Sequence, residues 1–448
     1  MSSREIIQVE QKVPLHKGIP LSLQHLFAMF GASILVPILF NQAAGTVVVD
    51  PALVLLMNGV GTLIYLFICR GKAPAFLGSS FAFIAPTVTC ISLAATPQLG
   101  FQHALGGFVV AGLVFTIVSL VIRFAGRNWL KVVLPPAAMG PIVALIGLEL
   151  APTAVGMAFY KGGSMASGAI VPSYALISLF TLAVVLVGSL VFRKFLAAIP
   201  VLIGVLAGYA LSAILNIWVP GSLDVSPIAT AKILALPRFI LPVFDWGSIL
   251  IILPAALVVI SEHIGHLFVT SNIVGRNLLK DPGLHRSLLG DGLSTMLSGF
   301  SGSCPTTTYG ENMGVMAITK VYSVWVVGGA AIISILIAFF GQFSGAIRSI
   351  PTPVIGGVSI MLFGVIAASG LRMIVEAKVD YSKSRNLLLS AVVFVVGISG
   401  LSIKVGHTEL KGMVLATLVG MALSLAIWIF DKLGWNAESP DPQSEEGL

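Results

Sequence analysis

Charge is what this chain of 448 residues has least of: Asp, Glu, Lys and Arg make up 10% of it, against about 25% in an average soluble domain. With 57% hydrophobic residues, that leaves more apolar surface than a soluble fold of this length buries, and no stretch remains for a soluble domain. Cysteine is equally scarce. Cys69, Cys90 and Cys304 lie in or beside apolar segments without metal-ligand spacing, and are read as three buried thiols. A Walker loop, a Ser-His-Asp motif and a haem-ligand pair are all missing, which argues against the common enzyme chemistries.

What is present is a series of uncharged runs, among them 51–69, 73–122, 162–192, 195–223, 321–347, 349–371 and 412–430. A membrane span takes about 17 to 25 apolar residues, and the runs at 73–122 and 195–223 each exceed one span, so about fourteen spans are expected. Alternating these from a cytoplasmic N-terminus puts 19 of the 25 Lys and Arg residues inside, Arg4, Arg127 and Lys194 among them. Only Lys161, Lys232, Arg238, Arg348, Lys404 and Lys411 stay outside. That asymmetry accounts for the net charge of +7 without nucleic acid and places both termini in the cytoplasm. Met1 to Lys17 is polar, and the apolar segment after it lacks a cleavage pattern, so it reads as the first span.

The few ionisable groups inside the apolar runs are the informative ones. Glu262, His263 and His266 follow the uncharged run 246–261, and Glu311 sits between apolar stretches. Such groups cost about 2.5 to 3.5 kcal/mol each on insertion scales, so a site is the default reading. Glu262 and His266 are four apart and share a helix face, where they serve a ligand or neutralise one another. His263 points about 100 degrees away and is assigned to neighbouring groups. A metal-dependent membrane enzyme is weighed and set aside, because two His three apart with no further ligand cluster lack zinc-protease spacing, so no metal or cofactor is expected. Glu149 lies near a span end and is left out of the site.

Seven spans per half would make the second half enter from the opposite side, as in inverted-repeat carriers. Gln24-His25-Leu26-Phe27 is echoed by Gly265-His266-Leu267-Phe268. Two polar interruptions, Gly78-Ser79-Ser80-Phe81-Ala82-Phe83-Ile84-Ala85-Pro86 and Ser301-Gly302-Ser303-Cys304-Pro305-Thr306-Thr307-Thr308-Tyr309-Gly310, predict broken third and tenth spans, each with a short extended segment leading into a half-helix. A half-helix starting inside the protein offers free N–H groups and a partial positive charge to a ligand. Close helix packing by Gly and Ser is the plainer alternative. The fold class is therefore an all-α integral membrane protein of about 14 spans in two inverted sevens.

Glu311-Asn312-Met313-Gly314-Val315-Met316-Ala317-Ile318-Thr319-Lys320 resembles the signature of the nucleobase-ascorbate transporter family. Leu77-Gly78-Ser79-Ser80-Phe81, Glu262-His263-Ile264-Gly265-His266 and the stretch from Pro20 to Gly31 resemble its bacterial uracil branch, and Glu311 stands where the xanthine branch carries Gln. The resemblance implies a proton-coupled uracil symporter of the bacterial inner membrane. Residues 1–124 and 244–344 would form a core domain, and 125–243 and 345–448 a gate domain that also makes a homodimer. It implies substrate contacts at Phe81, Glu262, His266, Tyr309, Gly310 and Glu311, with Glu262, His266 and Glu311 carrying the proton. His25 and Asn312 are expected as supports, His25 orienting Tyr309 or a half-helix end. Tyr309 either braces the break or touches substrate. Phe363 replaces a gate Tyr of the family and would pack without hydrogen bonding. The opening of its span, Ile350-Pro351-Thr352-Pro353-Val354-Ile355-Gly356-Gly357, is expected to face the core across the transport path.

Uracil carries two N–H donors and two carbonyl acceptors on a flat ring. Carboxylates of Glu262 and Glu311 suit the first pair, backbone N–H groups near Phe81 and Gly310 the second, and Phe81 the ring face. Another nucleobase such as xanthine is the alternative cargo. An anion carrier of the same architecture would need a basic residue at the site, and 73–122 and 287–318 hold none.

Overall fold

The computed structural model describes residues 6–126, 128–193, 195–405 and 408–435. Arg4, Arg127, Lys194 and both chain termini, used in the orientation argument, lie outside the described residues. The chain runs α1 (Leu15–Ala44), α2 (Pro51–Ile68), β1 (Leu77–Ser79), α3 (Ile84–Leu93), α4 (Pro97–Ala125), α5 (Pro136–Phe159), α6 (Pro172–Val191) and α7 (Pro200–Leu215). It continues with α8 (Trp246–Val274), α9 (Leu284–Ser301), β2 (Thr306–Thr308), α10 (Gly310–Thr319), α11 (Val324–Ala338), α12 (Thr352–Glu376) and α13 (Ser384–Ile398). A hairpin, β3 (Ser402–Val405) and β4 (Thr408–Lys411), leads into α14 (Gly412–Leu433).

Local chemistry sets the helix starts. Asp50 accepts from Ala52 N with Pro51 as first helical residue, Thr96 accepts from Leu99 N ahead of Pro97, and Asp245 accepts from Ser248 N. Among the described residues, eight helices (α1, α2, α4, α5, α6, α8, α12 and α14) are long and apolar enough to cross a membrane. Shorter apolar helices occupy α3 with its leading turn, α7, α11 and α13. The protein is a multi-pass membrane protein. Among the described helices α9 is full-length yet polar, and its polar side chains, Ser287, Asp291, Ser294 and Thr295 among them, are buried on the side that packs against α2, α4, α8 and β2, while Leu293, Leu297 and Phe300 stay exposed.

The packing repeats with partners exchanged. α1 packs on α10 and α11 as α8 packs on α3 and α4, and α2 meets α11 as α9 meets α4. In the remaining helices α12 meets α6 and α7 as α5 meets α13 and α14, while α5 and α12 pack on each other. This exchange is what an inverted repeat of seven elements demands. The expected sequence echo is not its trace: His25 falls early in α1 and His266 late in α8, so they do not occupy equivalent positions of the repeat. Helices α5 and α12 come close enough that a Cβ on Gly147 would stand 2.1 Å from Phe363 O. Small residues at such crossings let backbones approach where lipid offers no hydrophobic drive.

β1 and β2 are three residues each and pair antiparallel, Leu77 with Thr308, Gly78 with Thr307 and Ser79 with Thr306. The broken third and tenth spans are thus joined at their breaks. Pairing satisfies the backbone groups that a break inside a bilayer exposes. Both strands are buried throughout.

The expectation for the start of α12 is corrected. A Cβ on Gly356 would lie 2.3 Å from Ala158 N, and one on Gly357 would lie 2.4 Å from Ser178 O, so both glycines seat α12 on α5 and α6. Both glycines serve close packing against α5 and α6.

Candidate functional site

The crossing of β1 and β2 sets the site. Beyond β1 the chain turns through Phe81–Phe83 into α3, and beyond β2 it passes Tyr309, in extended conformation, into α10 at Gly310. Tyr309 N donates to Phe76 O (3.0 Å) and Ser80 N to Pro305 O (2.8 Å), closing the ladder at both ends. The Tyr309 ring lies over Gly78, and its hydroxyl donates to Ser79 O at 2.8 Å. Between the two readings of Tyr309, bracing is therefore what its hydroxyl does.

Helix α8 supplies the acid and the imidazole. His266 Nδ1 sits 3.0 Å from Thr308 Oγ1, and a Cβ on Gly310 would lie 3.8 Å from His266 Nε2, so this His stands at the start of α10. Glu262, one turn back, lies within Coulombic range of Glu311 in the first turn of α10. Both carboxylates are half-buried, and neither is hydrogen-bonded to another side chain among the described residues. They are acceptors with open valence. His266 and Tyr309 also line a small cavity with Tyr65, Thr270, Thr308 and Met313. A wider cleft of about 540 Å³ lies elsewhere, at the ends of α2 and α9, between Phe67, Arg70 and Arg286.

Phe81 and Phe363 meet edge to face, ring centroids 6.1 Å apart at 81°. This brings α12 to the half-helix that begins at the crossing. Phe363 is 2% exposed, and a tyrosine hydroxyl there would need a partner.

His25 and Asn312, expected as supports, are bonded to each other. Asn312 Nδ2 donates to His25 O (3.0 Å) and lies 3.1 Å from His25 Nδ1, both residues being buried. His25 therefore holds the half-helix end, one residue past Glu311, and no bond joins it to Tyr309 among the described residues. His263, as expected, bonds to neighbours: Nδ1 to Asp291 Oδ2 (2.9 Å) and Nε2 to Ser287 Oγ (2.7 Å). Glu149 is outside the site, its Oε2 accepting from Met413 N (3.0 Å) at the start of α14.

Asp291 was missed by sequence reasoning. It is fully buried on α9 and stands, with Glu311, within Coulombic range of Glu262. The signal was available in Gly290-Asp291-Gly292, an acid between glycines, but α9 is too polar to stand out as a span.

Residues 16–405 match the Permease family model (Xan_ur_permease). The uracil permease of Escherichia coli K12 is 56% identical over 424 residues, covering 94% of each chain. That of Paenibacillus larvae is 53% identical over 434 residues, 97% of this chain and 99% of that one, and that of Bacillus subtilis 44% identical over 436 residues, 95% and 96%. In fold, the chain is similar to the transmembrane domain of the cyanobacterial bicarbonate transporter BicA (TM-score 0.61, 16% identity, 93% of this chain and 100% of that one). It is also similar to the murine anion transporter Slc26a9 (TM-score 0.68, 13% identity, 92% and 68%). A multi-pass fold shared with transporters, an unoccupied-valence acid pair beside two half-helix ends and identities of this size converge: the chain is a transporter and not an enzyme, and it belongs to the nucleobase-ascorbate transporter family of permeases.

Proposed function

We propose that this protein imports uracil by proton symport. The observation that carries the reading is the pair Glu262 and Glu311, half-buried acceptors without side-chain partners, set against the N-terminal ends at Phe81 and Gly310. Two ring N–H groups would bind the carboxylates and the carbonyls would take backbone N–H groups of the half-helices. Phe81 would stack on the ring, adding about 0.5 to 1.5 kcal/mol beyond apolar area. Tyr309 and Asn312 would hold the frame, and His266 would stand beside both acids.

Carboxylates close together in a dry pocket resist ionising together, so a proton bound there would neutralise the pocket before or with uracil. Glu262, Glu311 and His266 would titrate as one set. Fourteen spans in two inverted sevens, with 1–124 and 244–344 as core and 125–243 and 345–448 as gate and homodimer contact, would let the core carry substrate past Phe363. The bacterial inner membrane, with both termini cytoplasmic, is the matching location.

Xanthine is the second reading, and Glu311 in the position of that branch's Gln is what favours a pyrimidine. The fold's anion carriers suggest a third cargo, but 73–122 and 287–318 contain no Lys or Arg to meet an anion. Uptake of radiolabelled uracil into proteoliposomes tests the reading. Uptake should rise as external pH falls and collapse with a protonophore; uptake that follows a sodium gradient at fixed pH refutes it.

A further inference from the structure

Behind the proposed pocket runs a second polar unit that substrate recognition does not use. Tyr65 Oη lies 2.8 Å from Ser287 Oγ, Ser287 Oγ lies 2.7 Å from His263 Nε2, and His263 Nδ1 lies 2.9 Å from Asp291 Oδ2. The chain crosses α2, α9 and α8, and His263, Ser287 and Asp291 are fully buried. The Tyr65 ring packs edge-on to the imidazole at 6.3 Å and also lines the small cavity that His266 and Tyr309 share. Asp291 Oδ1 has no hydrogen-bond partner among the described residues.

Two hydroxyls in series allow two arrangements of the same heavy atoms. In one, Tyr65 donates to Ser287, Ser287 donates to His263 Nε2, and Nδ1–H donates to the Asp291 carboxylate, so the histidine is neutral and the pair carries one negative charge. In the other, Nε2–H donates to Ser287, Ser287 donates to Tyr65, and the phenol turns to Cys69, one helical turn along α2 and within its reach. The histidine is then protonated and the pair is neutral. A proton enters or leaves with every ring N–H satisfied and no side chain displaced, and in the protonated arrangement the pair is neutral.

We propose that Tyr65, Ser287, His263 and Asp291 form a second proton-holding unit, in which protonation of His263 sets the charge that Glu262 faces. Glu262 adjoins His263 in sequence and lies within Coulombic range of Asp291. The unit is therefore placed to bias the proton on the substrate acids, with His263 as a positioning residue. The other ionisable groups nearby are His266 on α8, facing His263, Glu311 on α10, facing Glu262, and, beyond Cys69, Arg286 on α9. The inference rests on the proton-symport reading.

The test uses the full-length protein in proteoliposomes, with uracil uptake measured against external pH at fixed internal pH for wild type, Tyr65→Phe, Ser287→Ala and His263→Asn. Asn keeps an N–H for Asp291 but takes no proton, so Glu262 would face a permanent negative charge. The uptake midpoint should move to higher pH by about one unit or more in His263→Asn, and less far in the other two, while uracil binding to purified protein persists. Tyr65→Phe deletes one hydroxyl and decides the matter if His263→Asn fails to fold. Wild-type midpoints in Tyr65→Phe and Ser287→Ala, with only the amplitude reduced, overturn the proposal and make the chain a brace. A wild type whose uptake ignores pH overturns the symport reading as well, a distinct result.

Discussion

Gly78→Ala tests whether the strand crossing builds the site. A Cβ at position 78 would lie 2.4, 2.5 and 2.8 Å from Cζ, Cε2 and Cε1 of Tyr309, all closer than real Cβ contacts come. The ring has little room to retreat, being 3% exposed and tied by its hydroxyl to Ser79 O at 2.8 Å. Overpacking of this kind costs about 1 to 3 kcal/mol, and a ring that swings away leaves the Ser79 carbonyl unpaired for about 1 to 3 more. With tenfold for every 1.4 kcal/mol, a total of about 2 to 6 predicts uracil binding weaker by about 30-fold or more, provided the cost falls on the binding-competent arrangement. Equilibrium binding to purified protein reads this, with thermal unfolding to show that the variant is folded. Gly314→Ala is the control: its Cβ would have nothing within 4 Å, although Gly314 belongs to the family signature, and binding should stay within about twofold of wild type. Binding by Gly78→Ala at the wild-type level, with an unchanged melting temperature, would refute the idea that Tyr309 over Gly78 shapes the pocket.

Glu262→Ala and Glu311→Ala should each weaken uracil binding by about 5- to 150-fold or more, since a ring N–H left unpaired costs about 1 to 3 kcal/mol; calorimetric titration at wild-type affinity would sink the substrate assignment. Phe363→Tyr should lower uptake, by about fivefold or more where the added hydroxyl finds no partner at this buried position, since an unpaired buried hydroxyl costs about 1 to 3 kcal/mol; transport kinetics in vesicles check this. Gly356→Leu should lower folded yield and melting temperature together with transport, since its side chain meets the backbone of Met157 and Ala158; a folded, binding-competent but slow variant would return this segment to a gating role.

What was legible in the chain was whatever announces itself locally. Glu262 and Glu311 stand out because an acid amid apolar residues is rare, and the breaks at Gly78–Pro86 and Ser301–Gly310 because polar, glycine-bearing runs interrupt hydrophobic ones. What was illegible depends on partners far along the chain. Whether Tyr309 braces or binds is decided by Ser79, 230 residues away. Asp291 hid in α9, whose polarity is tolerated because its polar side chains are buried against other helices. Gly356 and Gly357 were misread because a glycine beside a transport path and a glycine that admits a neighbouring backbone look the same in a sequence, and only the positions of Ala158 and Ser178 tell them apart.

The same distinction explains how this fold serves unlike cargoes. At 13–16% identity to carriers described by bicarbonate and anions, what this chain shares with them is the fold, not the side chains that meet a ligand. In this chain the crossing of β1 and β2 is held by backbone hydrogen bonds, which place few demands on side chains beyond smallness at Gly78 and a brace at Tyr309. The two half-helix ends it creates favour an electron-rich group of almost any kind, anion or carbonyl. Selectivity must then come from what faces those ends across the pocket. On the proposed reading that is Glu262 on α8 and Glu311 on α10, and two carboxylates would oppose an anion while accepting from a neutral ring with N–H donors. An anion carrier on the same frame needs a cation or a neutral lining at these positions, so removing the acids should lower uracil affinity without, by itself, creating anion binding.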